Sequence, residues 1–203
     1  RDTILKIIHE LDYDEKIFEI RDPQTCSKAE EYALELYHRR QRKGVTLSEA
    51  RNMIQKRVYY GPMMLVSGEA QALISGVTTY YPQTIKPALQ CIGVKEGIKV
   101  VSGMYIVVTK NNVYFFSDCA VNVDPTAEQL AHIAISSADT VKEFDIVPKV
   151  AMLSFSNFGS AVYPQTLKIK EAVEIVHKLR PDIIIDGEMQ ADTAVTPHML
   201  DHQ

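Results

Sequence analysis

The chain has 203 residues, 46% of them hydrophobic and 24% charged, with a formal net charge of −4. At about 150 residues per domain this is one large domain or two small ones, long enough to bury a core. That ordinary globular mix excludes disorder, collagen and coiled coil as whole-chain readings; no apolar run approaches the ~18 residues of a membrane span, and the negative total disfavours a general nucleic-acid binder. Three widely spaced cysteines, Cys26, Cys91 and Cys119, argue against a disulfide scaffold and fit a reducing cytosol, so a cytoplasmic location is expected. The start at Arg1-Asp2-Thr3, without initiator Met or signal segment, reads as a cut from a longer polypeptide, and the end at His198-Met-Leu-Asp-His-Gln203 carries no helix stop.

Charge is uneven. Residues 1–37 hold 5 basic and 10 acidic side chains, residues 38–57 hold 7 and 1, and residues 58–203 hold 10 and 15. One positive segment in an acidic chain points to an anionic ligand; the plain alternative is a solvated helix face. The segment spans two predicted helices. Ser27 to Lys43 ends at Gly44, a left-handed C-cap residue, with Arg39, Arg40, Arg42 and Lys43 in its last turn. Thr46-Leu-Ser-Glu49 is a capping box that opens a helix to about Arg57.

The continuous apolar runs Tyr60–Val66 and Ala70–Ile74, separated by Ser67-Gly68-Glu69, predict strands buried on both faces. Thr84 to Ile92 predicts a helix. Lys99–Val101, Tyr105–Val108 and Val113–Phe116 predict strands, the last two joined by a turn at Asn111-Asn112. Asp124-Pro125 predicts an N-cap and first residue of a helix to about Phe144. Lys149–Ser154 (strand), Gln165–Arg180 (helix) and Asp182–Asp186 (strand) complete the pattern. Such alternation argues for an α/β fold with a mainly parallel sheet, divided as residues 1–92 and 93–203.

Two segments follow strand ends, where α/β folds bind ligands. Ser154-Phe-Ser-Asn-Phe-Gly-Ser160 is either an anion cradle with backbone N–H groups or a plain turn of small residues. Asp186-Gly-Glu-Met-Gln-Ala-Asp192 could hold Mg²⁺ or Mn²⁺, but a capping loop is favoured because no His or third carboxylate shares it. The His198/His202 pair lacks a third zinc ligand. Cys119 is expected as a buried structural thiol.

Taken together, Arg40-Gln-Arg-Lys-Gly-Val-Thr46, Gly61-Pro-Met-Met-Leu-Val66, Ile74-Ser-Gly76, Thr84-Ile-Lys-Pro-Ala-Leu-Gln90, Asp118-Cys-Ala-Val-Asn122, Asp124-Pro-Thr-Ala-Glu128, Val150-Ala-Met-Leu-Ser154 and Ile185-Asp-Gly-Glu-Met-Gln190 resemble the phosphate acetyltransferase family in order and spacing, over about residues 30 to 200. Phe155-Ser-Asn-Phe-Gly-Ser160, Gly187-Glu-Met-Gln190 and Val77-Thr-Thr-Tyr-Tyr-Pro82 depart from the transferase pattern. They look most like the acetyltransferase-like C-terminal domain of bacterial NADP-dependent malic enzymes.

The resemblance implies an isocitrate/isopropylmalate dehydrogenase-like α/β/α fold of two subdomains with a cleft, which would bind acetyl-CoA or acetyl phosphate, and a homo-oligomer formed through the second subdomain. It matches Arg40 to a ligand-binding arginine and puts Lys86 where the transferases have another, which loses the bidentate fork. The family's catalytic Ser-Arg pair and Asp base are expected beyond Gln203. The effector-binding candidates are therefore Arg40, Arg42, Lys43, Lys86, Ser156, Asn157, Gly159 and Ser160, with no catalytic residue and no metal ligand in this segment. The first expectation is a regulatory domain of a malic enzyme, whose own domain would carry NADP and a divalent metal. The alternative is a fragment of an active phosphate acetyltransferase. A third is a dehydrogenase-like metal enzyme using Asp186 and Asp192.

Overall fold

The computed structural model describes residues 1–196 and divides the chain into two compact units, Arg1–Val94 and Lys95–Gln203. The fold is mixed α/β, and among the described residues no helix is long and apolar enough to cross a membrane.

The first unit is helical: α1 (Asp2–Glu10), α2 (Ala29–Arg40), α3 (Leu47–Ile54), α4 (Arg57–Val66) and α5 (Tyr81–Cys91). Helix α2 runs into a tight turn at Gln41–Lys43 and stops at Gly44, whose φ of 86° is the left-handed conformation expected there. Thr46 Oγ1 accepts the Glu49 N–H at 3.2 Å and Glu49 accepts the Thr46 N–H at 2.8 Å, forming the capping box of α3.

Residues 60–66 are not a strand. They lie inside α4, and residues 70–74 have no regular structure. An unbroken apolar run cannot distinguish a buried strand from a buried helix, and here packing decides. Tyr60 and Met63 sink into a core with Tyr32, Leu36, Ile54 and Cys91, with the Tyr32 and Tyr60 rings edge to face at 5.2 Å. The Ser67-Gly68 turn is the end of this helix. Gly68 (φ 76°) donates to Leu65 O at 3.1 Å and Glu69 donates to Met64 O at 2.9 Å, which makes a Schellman cap.

That cap delivers Glu69 to three donors: Arg21 at 2.5 Å, Lys28 at 2.6 Å and the Tyr32 hydroxyl at 2.7 Å. The Lys28, Arg21 and Tyr32 hydrogen bonds hold its carboxyl down at about 2. The segment leading into α2 is thereby tied to the end of α4.

The second unit holds β1 (Met104–Val108), β2 (Val113–Ser117), α6 (Ala127–Lys142), β3 (Lys149–Leu153), α7 (Pro164–Leu179), β4 (Ile184–Met189) and α8 (Ala191–Val195). β1 and β2 form an antiparallel hairpin closed by the Thr109 N–H on Asn112 O at 2.8 Å, with the turn where Asn111-Asn112 predicts it. β3 and β4 pair in parallel around α7, with Val150 opposite Ile185. Alanines 131, 134 and 138 of α6 let it approach Ala172, Val173 and Val176 of α7 over Ile183 and Ile185.

Several expectations are corrected here. The described residues contain one parallel and one antiparallel strand pair, not a mainly parallel sheet. A short hairpin turn can join only antiparallel strands, and the earlier apolar run is helical. Residues 99–101 form no strand. Helix α6 is capped by Thr126, boxed with Gln129, and not by Asp124. The Asp124 carboxylate instead accepts from Lys168 at 2.7 Å, which lowers its pKa. Cys119 is exposed, not buried. Asp118 (φ 56°) accepts the Asn122 N–H at 3.2 Å, and this side-chain-closed turn carries Cys119 outward.

Gly187 is required where β4 meets β3. Its φ is 142°, and a Cβ there would lie 2.6 Å from Met152 O. Gly187→Ala is expected to destabilise the protein by about 1–3 kcal/mol, read as a lower urea midpoint at unchanged slope; an unshifted midpoint would contradict this. A second expectation concerns pH. Because the folded state depresses the Glu69 pKa from 4.5 to about 2, its contribution is complete above pH 4.5 and disappears as pH falls towards 2. The stability gap between wild type and Glu69→Gln, followed by urea unfolding, should therefore close over that range; a pH-independent gap would refute the assignment.

Candidate functional site

The two segments singled out after strand ends are brought together. β3 and β4 are neighbours, so the turn at 154–160 lies against residues 187–190. The clasp between them is Glu188, a buried acid that sequence reasoning assigned to a loop. Its Oε1 accepts the Gly159 N–H at 2.7 Å and lies 3.4 Å from Ser156 Oγ, and its carbonyl accepts the Phe158 N–H at 2.9 Å. Asn157 Oδ1 accepts the Gln190 N–H at 2.7 Å, and Gln190 Nε2 donates to Phe155 O at 2.8 Å.

Five of the seven N–H groups of residues 154–160 are therefore engaged, those of Ser154, Asn157, Phe158, Gly159 and Ser160. Asn157 N–H donates to Ser160 Oγ at 3.1 Å, Ser160 N–H to Asn157 O at 2.9 Å, and Ala161 N–H to Ser156 Oγ at 3.0 Å. Ser156 is buried and faces inward, while Gly159 and Ser160 are exposed. The Ser154 hydroxyl, where the turn leaves β3, is buried without a hydrogen-bond partner. No period-2 signal could have exposed Glu188: Ile183, Ile185 and Met189 mark the inward positions, and Glu188 falls between them where the register shifts.

Asp186 and Asp192 do not converge on a metal. Each accepts the N–H of the residue that follows it, Gly187 and Thr193, at 2.8 Å. Among the described residues no group of three or more His, Cys, Asp or Glu side chains is placed to hold a metal ion. His198 and His202 lie outside the described residues.

In the first unit the basic residues take different roles. Arg39 pairs with Glu35 at 2.7 Å and reaches Cys91 O at 3.5 Å, so it ties α2 to the end of α5. Arg42 and Lys43 are exposed. Arg40 is half-buried, and its Nε is buried with no acceptor, an arrangement that costs about 1–3 kcal/mol. Its charge acts on Tyr59 and Cys91: burial pushes both up, Cys91 to about 12, and Arg40 opposes. Lys86 projects from α5 into a groove of about 640 Å³ that Tyr59 also lines.

A family model described as phosphate acetyl/butaryl transferase matches residues 3–203. The chain belongs to that family. It is 40% identical over 193 residues to the phosphate acetyltransferase of Clostridium acetobutylicum, covering 92% of this chain and 58% of that protein. To the Bacillus subtilis phosphate acetyltransferase it is 41% identical over 182 residues, covering 90% and 56%. Among solved structures it superposes on a phosphotransacetylase from Streptococcus pyogenes with a TM-score of 0.87 at 36% identity, over 97% of this chain and 60% of that one. On the EutD phosphotransacetylase from Staphylococcus aureus the TM-score is 0.84 at 33% identity, over 99% and 62%.

The chain thus spans less than two thirds of the length of these relatives. The phosphate acetyl/butaryl transferase match also starts near α1, well before residue 30, where the sequence motifs begin to resemble the family. These relatives are named transferases, which supports the acetyltransferase alternative over the malic-enzyme reading; a malic-enzyme fusion draws no support from them.

Removing the Glu188 clasp should loosen the turn. Glu188→Ala leaves the Gly159 N–H without its acceptor, at an expected loss of about 1–3 kcal/mol in urea unfolding. Faster amide exchange at Gly159 than in wild type should accompany it; unchanged exchange there would show that Glu188 does not hold the turn.

Proposed function

We propose that this chain is part of a phosphate acetyltransferase, which exchanges an acetyl group between coenzyme A and inorganic phosphate. The observation that carries this reading is the family match across residues 3–203 together with about 40% identity to proteins named phosphate acetyltransferase. In the forward direction the coenzyme A thiolate attacks the acyl carbon of acetyl phosphate, a C–S bond forms, the C–O bond breaks and phosphate leaves. The dehydrogenase-like α/β/α architecture and self-association through the second unit belong to the same proposal.

Arg40 is assigned to the phosphate. Its planar guanidinium suits paired hydrogen bonds to phosphate oxygens, and its Nε already lacks a protein acceptor. Lys86 adds a second charge, and Arg42 and Lys43 add to the attractive field. In the second unit Gly159 and Ser160 present the exposed surface of the turn to ligand, while Ser156 and Asn157 position it through the bonds to Ser160 and Gln190.

The test uses the natural polypeptide that carries this sequence. Acetyl-CoA formation from acetyl phosphate and coenzyme A is expected, and Arg40→Ala is expected to raise the KM for acetyl phosphate by about 10- to 100-fold, the scale of one charged hydrogen bond. Absence of turnover in wild type would overturn the function. Turnover with an unchanged KM in Arg40→Ala would overturn the assignment of Arg40.

A further inference from the structure

We infer that the outer face of α2 is an interface between copies of this chain, in which two first units pack α2 antiparallel across a two-fold axis that passes between Leu34 and Glu35. The contact is independent of the acetyl-transfer reaction. It also uses a different surface from the second unit, to which self-association is assigned above.

The face is open and apolar at its centre. Glu31, Leu34, Glu35 and His38 stand at i, i+3, i+4 and i+7, which is one stripe of a helix, and all four are exposed. The other side of α2 sends Tyr32, Ala33 and Leu36 into the core. Arg40, four residues after Leu36, belongs to that side and not to the stripe. Leu34 keeps 40% of its surface exposed between two acids and an imidazole. Beside it lies a groove of about 350 Å³ that Met63, Val66 and Ser67 of the end of α4 also line. The groove has room for an apolar side chain from outside, and antiparallel packing brings the other copy's Leu34 alongside it.

Charge selects the occupant. Helix α2 carries Glu30, Glu31 and Glu35 before its middle and His38, Arg39 and Arg40 in its last turn. Parallel pairing of two copies would set Glu31 on Glu31, whereas antiparallel pairing sets each acidic half on a basic half. With the axis between Leu34 and Glu35, Glu31 of each copy lies opposite His38 of the other. Glu30 and Arg39 also face one another, but Arg51 and Glu35 of their own copies already hold them. Glu31 and His38 make no salt bridge among the described residues, so the contact across the axis is the one left to them. An imidazole N–H donates to a carboxylate whether or not the ring is charged. The charge of Glu35, beside the other copy's Leu34, is met by Arg39 at 2.7 Å. An isologous contact makes every such pairing twice. One helix pair is a small interface, so the association belongs to the weak, transient class.

The contact is read by disulfide formation in the natural polypeptide carrying Cys119→Ser, which removes the exposed native thiol. Leu34→Cys is compared with Asn52→Cys, an exposed position on α3 of the same unit. A disulfide needs Cα atoms within about 7 Å, so under mild oxidation Leu34→Cys should link two chains at least about 10-fold faster, and peptide mass should map the bond from position 34 to position 34. Added to Leu34→Cys, either Glu31→Lys or His38→Glu should slow the reaction about 3- to 10-fold. The two together should restore it to within about twofold, because the axis re-forms both pairs with their signs exchanged.

A rate at position 34 no greater than at position 52 would overturn the interface, as would a bond from position 34 to another position or to a different protein. Single reversals without effect, or a double reversal no faster than the single ones, would overturn the antiparallel register and the proposal with it. Velocity sedimentation gives a second reading: Leu34→Glu should lose an association step that wild type shows, with unchanged circular dichroism because Leu34 lies outside the buried core. A sedimentation profile that Leu34→Glu leaves unaltered would equally overturn the proposal.

Discussion

One buried carboxylate organises the second unit. Glu188 lies inside β4, where burying a charge is costly unless hydrogen bonds meet it, and the bonds come from the turn that follows β3. That requirement pulls residues 156–161 onto the sheet edge. It consumes N–H groups that would otherwise be free and turns Ser156 inward. The close approach behind it is permitted by Gly187, whose missing side chain leaves room for the Met152 carbonyl. The turn is therefore a shaped surface, with Gly159 and Ser160 outward, rather than an open nest for an anion.

The first unit uses the same logic at helix ends. A glycine in the left-handed conformation closes α4, and the residue after it is a glutamate that collects Arg21, Lys28 and Tyr32. Two glutamates, Glu35 and Glu30, occupy Arg39 and Arg51 in the same way. What remains unneutralised is then informative. Arg40, with an unpartnered Nε, has no such carboxylate partner among the described residues. A sequence count of basic residues merges these two populations, since Arg39 and Arg40 are adjacent yet Arg39 meets Glu35 and the Arg40 Nε meets no acceptor.

Membership of the phosphate acetyl/butaryl transferase family fits this division of labour. The family match spans both the helical unit and the unit whose parallel strand pair carries the turn at 154–160. Both depend on contacts between segments far apart in sequence, Glu188 with Gly159 in one and Glu69 with Arg21 in the other.

Local signals in the sequence determined the ends of several elements. The capping box at Thr46, the left-handed Gly44 and the Asn111-Asn112 hairpin turn each depend on neighbours within a few residues, so spacing alone fixes them, whereas the last strand runs Ile184–Met189, past the Asp186 at which the sequence ends it. The motif order likewise fixed the family. Tertiary structure decided what depends on distant partners. Whether Tyr60–Val66 is helix or strand is settled by Tyr32 and Leu36, far away in the chain. The Asp124 or Thr126 cap is settled by Lys168, and the burial of Glu188 by Gly159. The different surroundings of Arg39 and Arg40 follow from which acceptors reach them. An apolar run or a cluster of charge specifies an energy to be satisfied, and only the folded chain specifies the group that satisfies it.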